Sequence, residues 1–304
     1  MSRILAFMAA VGLSLPLAAP ALAQAQPVVD SAPEPIVVTG ERAEQAKAAG
    51  KQGQAITQRP LEDYPLARRY APLCLHIFGI NREAGEVLAE RITANAQVLG
   101  LRAGDKGCKP NAWIGFVRNS KAAVAQLRKT QPEMFGTLSK TEIDRIFAGS
   151  GAAQVWHTTE QRTIDGRALT NLQLGDTTVK STSLYQPGRL GSPIRSDLLG
   201  SIVIFDMARV GGKSLLQLAD YATFRILAQV QDLPQVEPQT LPTILSLFAQ
   251  GDAPPDSLTE FDWAYLSGFY RMDRGAKLLA TANATERAML DGTATRLSNK
   301  ARPD

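Results

Sequence analysis

The sequence predicts an α+β fold, in which a mixed sheet packs against several helices. Residues 112–117 and 201–206 are largely apolar and rich in β-branched or aromatic side chains, which is typical of buried strands. Over residues 84–99 and 214–230, apolar side chains instead recur at helical spacing. The hydrophobic content of 44% is enough for a substantial core, so we expect a single compact region over residues 61–275.

The first 23 residues have the layout of a secretory signal peptide. Arg3 gives a positive start, residues 4–17 are mostly apolar, and Ala21-Leu22-Ala23 is a small-residue cleavage signal. The apolar run is too short to span a bilayer, and no cysteine follows the cleavage point to carry a lipid. We therefore predict a periplasmic or secreted protein whose mature chain has no transmembrane segment.

Residues 24–60 form a predicted disordered linker, because they are rich in Ala, Gln, Gly, Pro and charge and contain only short apolar runs. One of those runs lies in the stretch Glu-Pro-Ile-Val-Val-Thr-Gly, residues 34–40, which resembles the start of mature outer-membrane receptors. Those receptors use a short β-forming box to recruit an energising partner by strand addition. The resemblance implies an envelope protein partner that would be recruited through residues 36–39.

The charge distribution does not favour a nucleic-acid partner. The chain has 33 Lys and Arg against 29 Asp and Glu, a net charge of +4, and the basic residues are scattered along it. A nucleic-acid surface normally requires concentrated positive charge. We therefore predict no binding to nucleic acid.

Cys74 and Cys108 are the only cysteines, and both lie in the part of the chain that we expect to be exported. A disulfide between them is the favoured interpretation, because oxidation is permitted outside the cytoplasm. The alternative is a Cys74 nucleophile assisted by His76 or His157, which requires a free thiol in an oxidising compartment. A disulfide would link the two ends of a strand–helix–strand unit.

The first half of the predicted region begins with such a unit. A strand over residues 71–80 carries Cys74, and Asn81 caps a helix that ends at Gly100. The remaining predicted elements of this half are a strand at 112–117, helices at 121–129 and 141–147, and strands at 153–159, 169–174 and 178–185. Polar turns between the last three strands suggest a meander.

The second half is dominated by helices. After the strand at 201–206, the helix at 214–230 is apolar on more than one face, which implies deep burial. Pro242 begins a short helix, and Thr259 begins the next one. The chain then becomes more polar, so residues 276–304 are predicted to form a flexible C-terminal tail.

Several polar residues near these elements have both a structural and a chemical interpretation. Gly212-Lys213-Ser214 lies between a strand and a helix, as a phosphate-binding loop does, but Met207 stands where that motif needs a glycine. We therefore expect Ser214 to cap the helix. Asp206, Asp220 and Asp262 could supply acid and base chemistry, or could bind backbone donors and basic partners near the core.

No catalytic motif stands out. The sequence contains no G-x-S-x-G nucleophile elbow and no H-E-x-x-H helix, and its only histidines are His76 and His157. A zinc site would need carboxylates to complete its ligands, and we predict neither a metal nor a cofactor. The remaining candidates for a catalytic site are Asp220, Tyr221 and His157.

One longer resemblance rests on the order of the elements between residues 74 and 270. A strand and Gly-rich turn are followed by the long helix at 214–230, a short helix and the stretch Leu258-Thr259-Glu260-Phe261-Asp262. This order resembles an uncharacterised family of exported Gram-negative proteins, which is itself distantly similar to zincin metalloproteases.

In an active zincin the long helix presents two histidines and a glutamate to the metal. Gln217, Leu218 and Tyr221 occupy the nearest equivalent spacing here. The resemblance therefore implies a catalytically silent relative without the metal-binding motif. The leading hypothesis is non-catalytic binding or envelope support, and the alternative is a hydrolase with an unrecognised site around Asp220, Tyr221 and His157.

Overall fold

A sheet of five strands forms the centre of the computed structural model. The structure describes residues 40–60, 64–136, 138–149, 151–174, 177–181, 192–231, 241–249 and 253–301. They belong to one compact unit, Val38–Asp304. The predicted signal peptide at residues 1–23 and the stretch at residues 24–39 lie outside the described residues.

The strands are β1 (Ala67–Arg68), β2 (Leu75–Phe78), β3 (Ala112–Val117), β4 (Ala153–Thr163), β5 (Thr170–Leu174), β6 (Thr177–Ser181) and β7 (Ile194–Asp206). β7 pairs in parallel with β1 and β3 along one edge and antiparallel with β4 along the other. β2 pairs in parallel with β3 and ends the sheet, while β5 and β6 form a separate antiparallel pair. The sheet is mixed, as predicted, but β4 pairs with β7 instead of starting a meander.

The helices are α1 (Gly40–Ile56), α2 (Arg82–Val98), α3 (Ser120–Thr130), α4 (Lys140–Ala148), α5 (Leu215–Leu227), α6 (Glu260–Arg271), α7 (Ala280–Leu290) and α8 (Thr293–Lys300). Short 3-10 helices lie at Pro132–Phe135 and Ile244–Phe248. The predicted α+β class is confirmed. In the described part of the chain, no helix combines the length and apolarity that crossing a bilayer requires.

The two faces of the sheet pack against different helices. Alternate residues of β7 divide between them, since side chains along a strand point to opposite faces. Val203 and Phe205 join the larger core, which includes side chains of α2, α5 and α6. Ile202 and Ile204 join a smaller cluster with residues of α3, α4 and β4.

The two ends of the region that the structure describes differ from the prediction. Residues 40–56 of the predicted disordered linker form α1, and residues of the predicted flexible tail form α7 and α8. α1 packs mainly against α7, and α7 and α8 pack against α6. These segments therefore extend the folded region beyond the predicted boundaries of residues 61 and 275.

The contacts among these terminal helices explain why their sequences look unstructured. A Cβ on Gly50 of α1 would lie 2.8 Å from the carbonyl oxygen of Ala282 in α7, and one on Gly268 of α6 would lie 2.6 Å from that of Ala284. Small residues let the helix backbones approach closely without a stripe of large apolar side chains. The apolar periodicity that signals a packed helix is consequently weak here.

Candidate functional site

Asp220, the first of the predicted catalytic candidates, lies in the interface between α2 and α5. Its two carboxylate oxygens accept hydrogen bonds from Nε and Nη2 of Arg91 at 2.7 and 2.8 Å. The same oxygens accept from the Asn95 side chain at 2.7 Å and from the backbone N–H of Leu258 at 2.9 Å. Asp220 is 0% exposed, so this carboxylate holds three parts of the fold together in a buried ion pair.

His157 lies on β4 at the C-terminal end of α5. Its Nε2 is 2.7 Å from the carbonyl oxygen of Arg225, and because a carbonyl only accepts, Nε2 is the protonated nitrogen. The hydroxyls of Ser201 and Tyr270 donate to the next two carbonyls, those of Ile226 and Leu227, each at 2.8 Å. His157 is therefore one of three side chains that satisfy the last carbonyl groups of this helix.

Burial is the main reason that the pKa of His157 is lowered to about 3. The positive charges of Arg225 and Arg69 lower the pKa further, and the hydrogen bond to the Arg225 carbonyl opposes the shift. The imidazole is neutral near pH 7 and serves as a donor to backbone.

Tyr221 follows Asp220 on α5 but has different neighbours. Its ring centroid lies 5.0 Å from that of Phe248 and 6.0 Å from that of Phe205, and the guanidinium of Arg225 lies 5.8 Å from its centroid. The side chain is 5% exposed and belongs to the larger core. Asp220, Tyr221 and His157 are thus placed in three different buried surroundings.

Asp206 and Asp262 bind backbone donors, as their structural interpretation predicts. Asp206 accepts a hydrogen bond from the backbone N–H of Ser120 at 3.0 Å. This hydrogen bond is the main reason that the pKa of Asp206 is lowered. Asp262 accepts from the backbone N–H groups of Ile244 and Thr259, each at 2.8 Å. Burial raises the pKa of Asp262 to about 6, although these hydrogen bonds oppose the shift. Both carboxylates stabilise helix starts.

The Gly212-Lys213-Ser214 motif also has a structural role. Ser214 and Gln217 form a reciprocal capping box at the start of α5, which confirms the predicted cap. Gln217, one of the three residues at the zincin-like positions, also donates to the carbonyl oxygen of Pro255 at 3.0 Å. Gly212 has a φ of +79°, so it provides the left-handed turn between β7 and α5.

Cys74 and Cys108 form the predicted disulfide. Neither cysteine is free, so the alternative of a Cys74 nucleophile assisted by His76 or His157 is wrong. The bridge ties the residue before β2 to the turn before β3.

The protein surface has a groove at a place that contains none of the predicted site residues. This groove, of about 260 Å³, lies between β2 and the first half of α2, and we call it the edge groove. Its lining residues are Leu75, Ile77, Ile80, Asn81, Arg82, Gly85, Glu86 and Ala89. Leu75 and Ile77 form an apolar wall on the strand side. On the helix side the exposed ion pair between Arg82 and Glu86, with atoms 2.7 Å apart, forms a polar rim.

Within the part of the chain that the structure describes, one side of the β2 backbone pairs with no other strand. The N–H of Ala112 donates to the carbonyl of Cys74 at 3.1 Å, so alternate residues of β2 face β3 in the parallel ladder. The backbone groups of Leu75 and Ile77 therefore point away from the sheet. Among the described residues, no backbone hydrogen bond from a turn, a loop or a helix cap reaches the N–H or carbonyl groups of Leu75 and Ile77.

Gly85 keeps the helix side of the groove open. A Cβ added to Gly85 would have no heavy atom within 4 Å, so no steric contact requires glycine there. A glycine inside a helix costs about 1 kcal/mol relative to alanine. Together with Ala89, Gly85 leaves space for a side chain from outside the fold.

No family model matches this chain, and the comparisons with curated proteins and with solved structures found no significant match. The zincin-like relationship therefore stays a prediction. Over the residues that the structure describes, no group of three His, Cys, Asp or Glu side chains is arranged to hold a metal ion.

Replacing His157 with glutamine is expected to change how stability depends on pH. Glutamine can still donate to the Arg225 carbonyl, but it does not titrate. Because the pKa of His157 is lowered in the folded state, protonation favours unfolding. The wild type should therefore lose stability relative to His157→Gln as the pH falls from about 6.5 towards 3, by up to about 1.4 kcal/mol per pH unit.

Urea unfolding at a series of pH values measures this difference. His76→Gln is the matched control, since it removes the other histidine, which lies exposed on β2. Equal pH dependence for the wild type and His157→Gln would show that His157 is not held neutral by the fold.

Proposed function

We propose that this protein is exported and acts in the periplasm or outside the cell as a non-catalytic binding protein. Export is supported by the signal-peptide pattern of residues 1–23 and by the disulfide, a bond that persists in oxidising compartments. The non-catalytic role is supported by the buried contacts of Asp220 and His157, which leave both groups engaged with the fold.

The edge groove is the observation that favours binding. An unpaired strand edge beside an apolar groove is the combination by which proteins recognise extended peptides, since the backbone provides hydrogen bonds and the groove accepts alternate side chains. The outward groups of Leu75 and Ile77 offer two donors and two acceptors. The ligand we propose is an extended segment with β-branched side chains at alternate positions.

Binding of a fluorescent hexapeptide of alternating valine and threonine tests this proposal by anisotropy. Gly85→Leu places a side chain in the groove where the structure has open space, so it should weaken peptide binding at least about tenfold, the loss expected when a contact worth about 1.4 kcal/mol is blocked. Ala94→Leu adds the same side chain to α2 at an exposed position about two and a half turns further along, on the opposite face of the helix, and it should bind like the wild type.

Two results would overturn the proposal. The first is peptide binding that Gly85→Leu leaves unchanged. The second is cleavage of the peptide that His157→Gln or Asp220→Asn abolishes without unfolding the protein, since this is what the hydrolase alternative predicts. Mass spectrometry of the incubated peptide detects such cleavage.

A further inference from the structure

We infer that the occupant of the edge groove is the run Ile-Val-Val-Thr, residues 36–39, from a second copy of the chain. We call this segment the leader run. The inference rests on the proposed function of the edge groove. Reciprocal exchange, in which each copy donates its leader run and accepts that of its partner, would give a closed two-fold dimer.

The leader run matches β2 in length and chemistry. β2 has four residues, and the leader run supplies four β-branched residues in a row. Outside the described residues and beyond the predicted signal peptide, the sequence has no other run of four such residues. In an extended conformation Ile36 and Val38 share one face, so two apolar side chains can enter the groove together.

The residues on either side of β2 and of the leader run limit the added strand to four residues. Before β2, Leu73 already donates to the Arg102 carbonyl and accepts from the Gly104 N–H, both at 2.8 Å. The added strand can therefore use only the outward groups from Leu75 onward. Pro35 has no N–H for a ladder and precedes the leader run, and α1 begins directly after it, at Gly40.

The position of α1 favours binding of the leader run in the groove of a second copy over binding in the groove of its own chain. Near its start, Arg42 donates to the Met289 carbonyl at 3.2 Å, at the C-terminal end of α7. α1 packs on α6 and α7, whereas the elements that form the groove, α2 and β2, pack on α5 and β3. Four extended residues span only about 13 Å, and no spacer separates the leader run from α1.

Sedimentation velocity over a range of concentrations tests the inference on protein that is expressed from the full-length gene and recovered after export. The wild type and Ala94→Leu should form dimers. The double substitution Val37→Pro/Val38→Pro removes a ladder donor from the leader run whether the added strand is parallel or antiparallel to β2, and Gly85→Leu fills the groove. Each variant should raise the dimer dissociation constant at least about tenfold. Circular dichroism should show that both variants remain folded, since neither substitution meets a described contact.

A mixture of the two variants provides a second readout. Val37→Pro/Val38→Pro keeps an intact groove and Gly85→Leu keeps an intact leader run, so together they should form a one-sided heterodimer that neither forms alone. A wild type that is monomeric at every concentration would overturn the inference, and so would dimers that both substitutions leave unchanged.

The valine and threonine hexapeptide separates the two proposals. If it binds Val37→Pro/Val38→Pro but not Gly85→Leu while the wild type is monomeric, the groove binds peptides and the leader run of a second copy is not its ligand. If it binds none of the proteins and the wild type is monomeric, both the inference and the proposed function fail.

Discussion

Replacing Asp220 with asparagine is expected to lower the free energy of unfolding by about 3 to 5 kcal/mol. Asp220 is fully buried, and the side chain of its partner Arg91 is only 9% exposed. Asparagine has nearly the same shape but no charge, so the guanidinium would stay buried without its counter-charge. The acceptor for the Leu258 N–H or for the Asn95 amide would also be lost. Urea unfolding at pH 7 measures the change.

Asp144→Asn is the matched control for this loss. Asp144 pairs with Lys140 at 3.5 Å, and the two side chains are 62% and 91% exposed. Exposed pairs of this kind contribute at most about 1 kcal/mol, so the same chemical change should have little effect there. A loss at Asp220 that is no larger than the loss at Asp144 would contradict the structural role of this ion pair.

Local signals in the sequence predicted the helix starts well, because a cap depends on residues three positions apart. Asn81, Ser214 and Thr259 were each expected to begin or cap a helix, and each side chain accepts from the backbone N–H three residues later. The chemistry of Asp206 and Asp262 followed the same logic, since both bind backbone donors at helix starts.

Features that depend on distant contacts could not be predicted in this way. α1 is held through Gly50 and Gly53, where a Cβ would approach Ala282 and Thr285 of α7 at 2.8 Å, and such small residues also occur in disordered linkers. Strand β7 extends back to Ile194 because it pairs with β4 along this length. The charged residues Arg195 and Asp197 in this extension pair with each other at 2.7 Å. Neither arrangement leaves an apolar pattern in the sequence.

The candidate site likewise has features that local sequence signals indicated and features that depend on distant contacts. His157 and Asp220 were predicted as candidates for a catalytic site, but their partners Arg225 and Arg91 come from other parts of the chain and define their roles. The edge groove combines a strand edge with a helix face, so its existence depends on how β2 and α2 pack. Gly85 within the predicted helix was the one local signal that could have drawn attention to it.

Removing the disulfide is expected to cost about 3 to 4 kcal/mol of stability. Cys74 and Cys108 are 34 residues apart, and a bridge across a loop of this length mainly restricts the unfolded chain. Replacing both with alanine avoids a free thiol, and urea unfolding compares the variant with the wild type. The variant should still fold, since Asn111 also ties this region together by accepting from the Cys74 N–H at 3.0 Å and donating to the Pro72 carbonyl at 2.8 Å.

Reduction provides an independent measure of the same contribution. Wild-type protein treated with dithiothreitol should unfold at the urea concentration that unfolds the double alanine variant, and the reductant should not affect that variant. A loss below about 1 kcal/mol would mean that hydrogen bonds such as those of Asn111 already restrict the loop in the unfolded ensemble. A loss of about 3 to 4 kcal/mol would instead show that, without the bridge, the unfolded chain gains the freedom expected for a loop of this length.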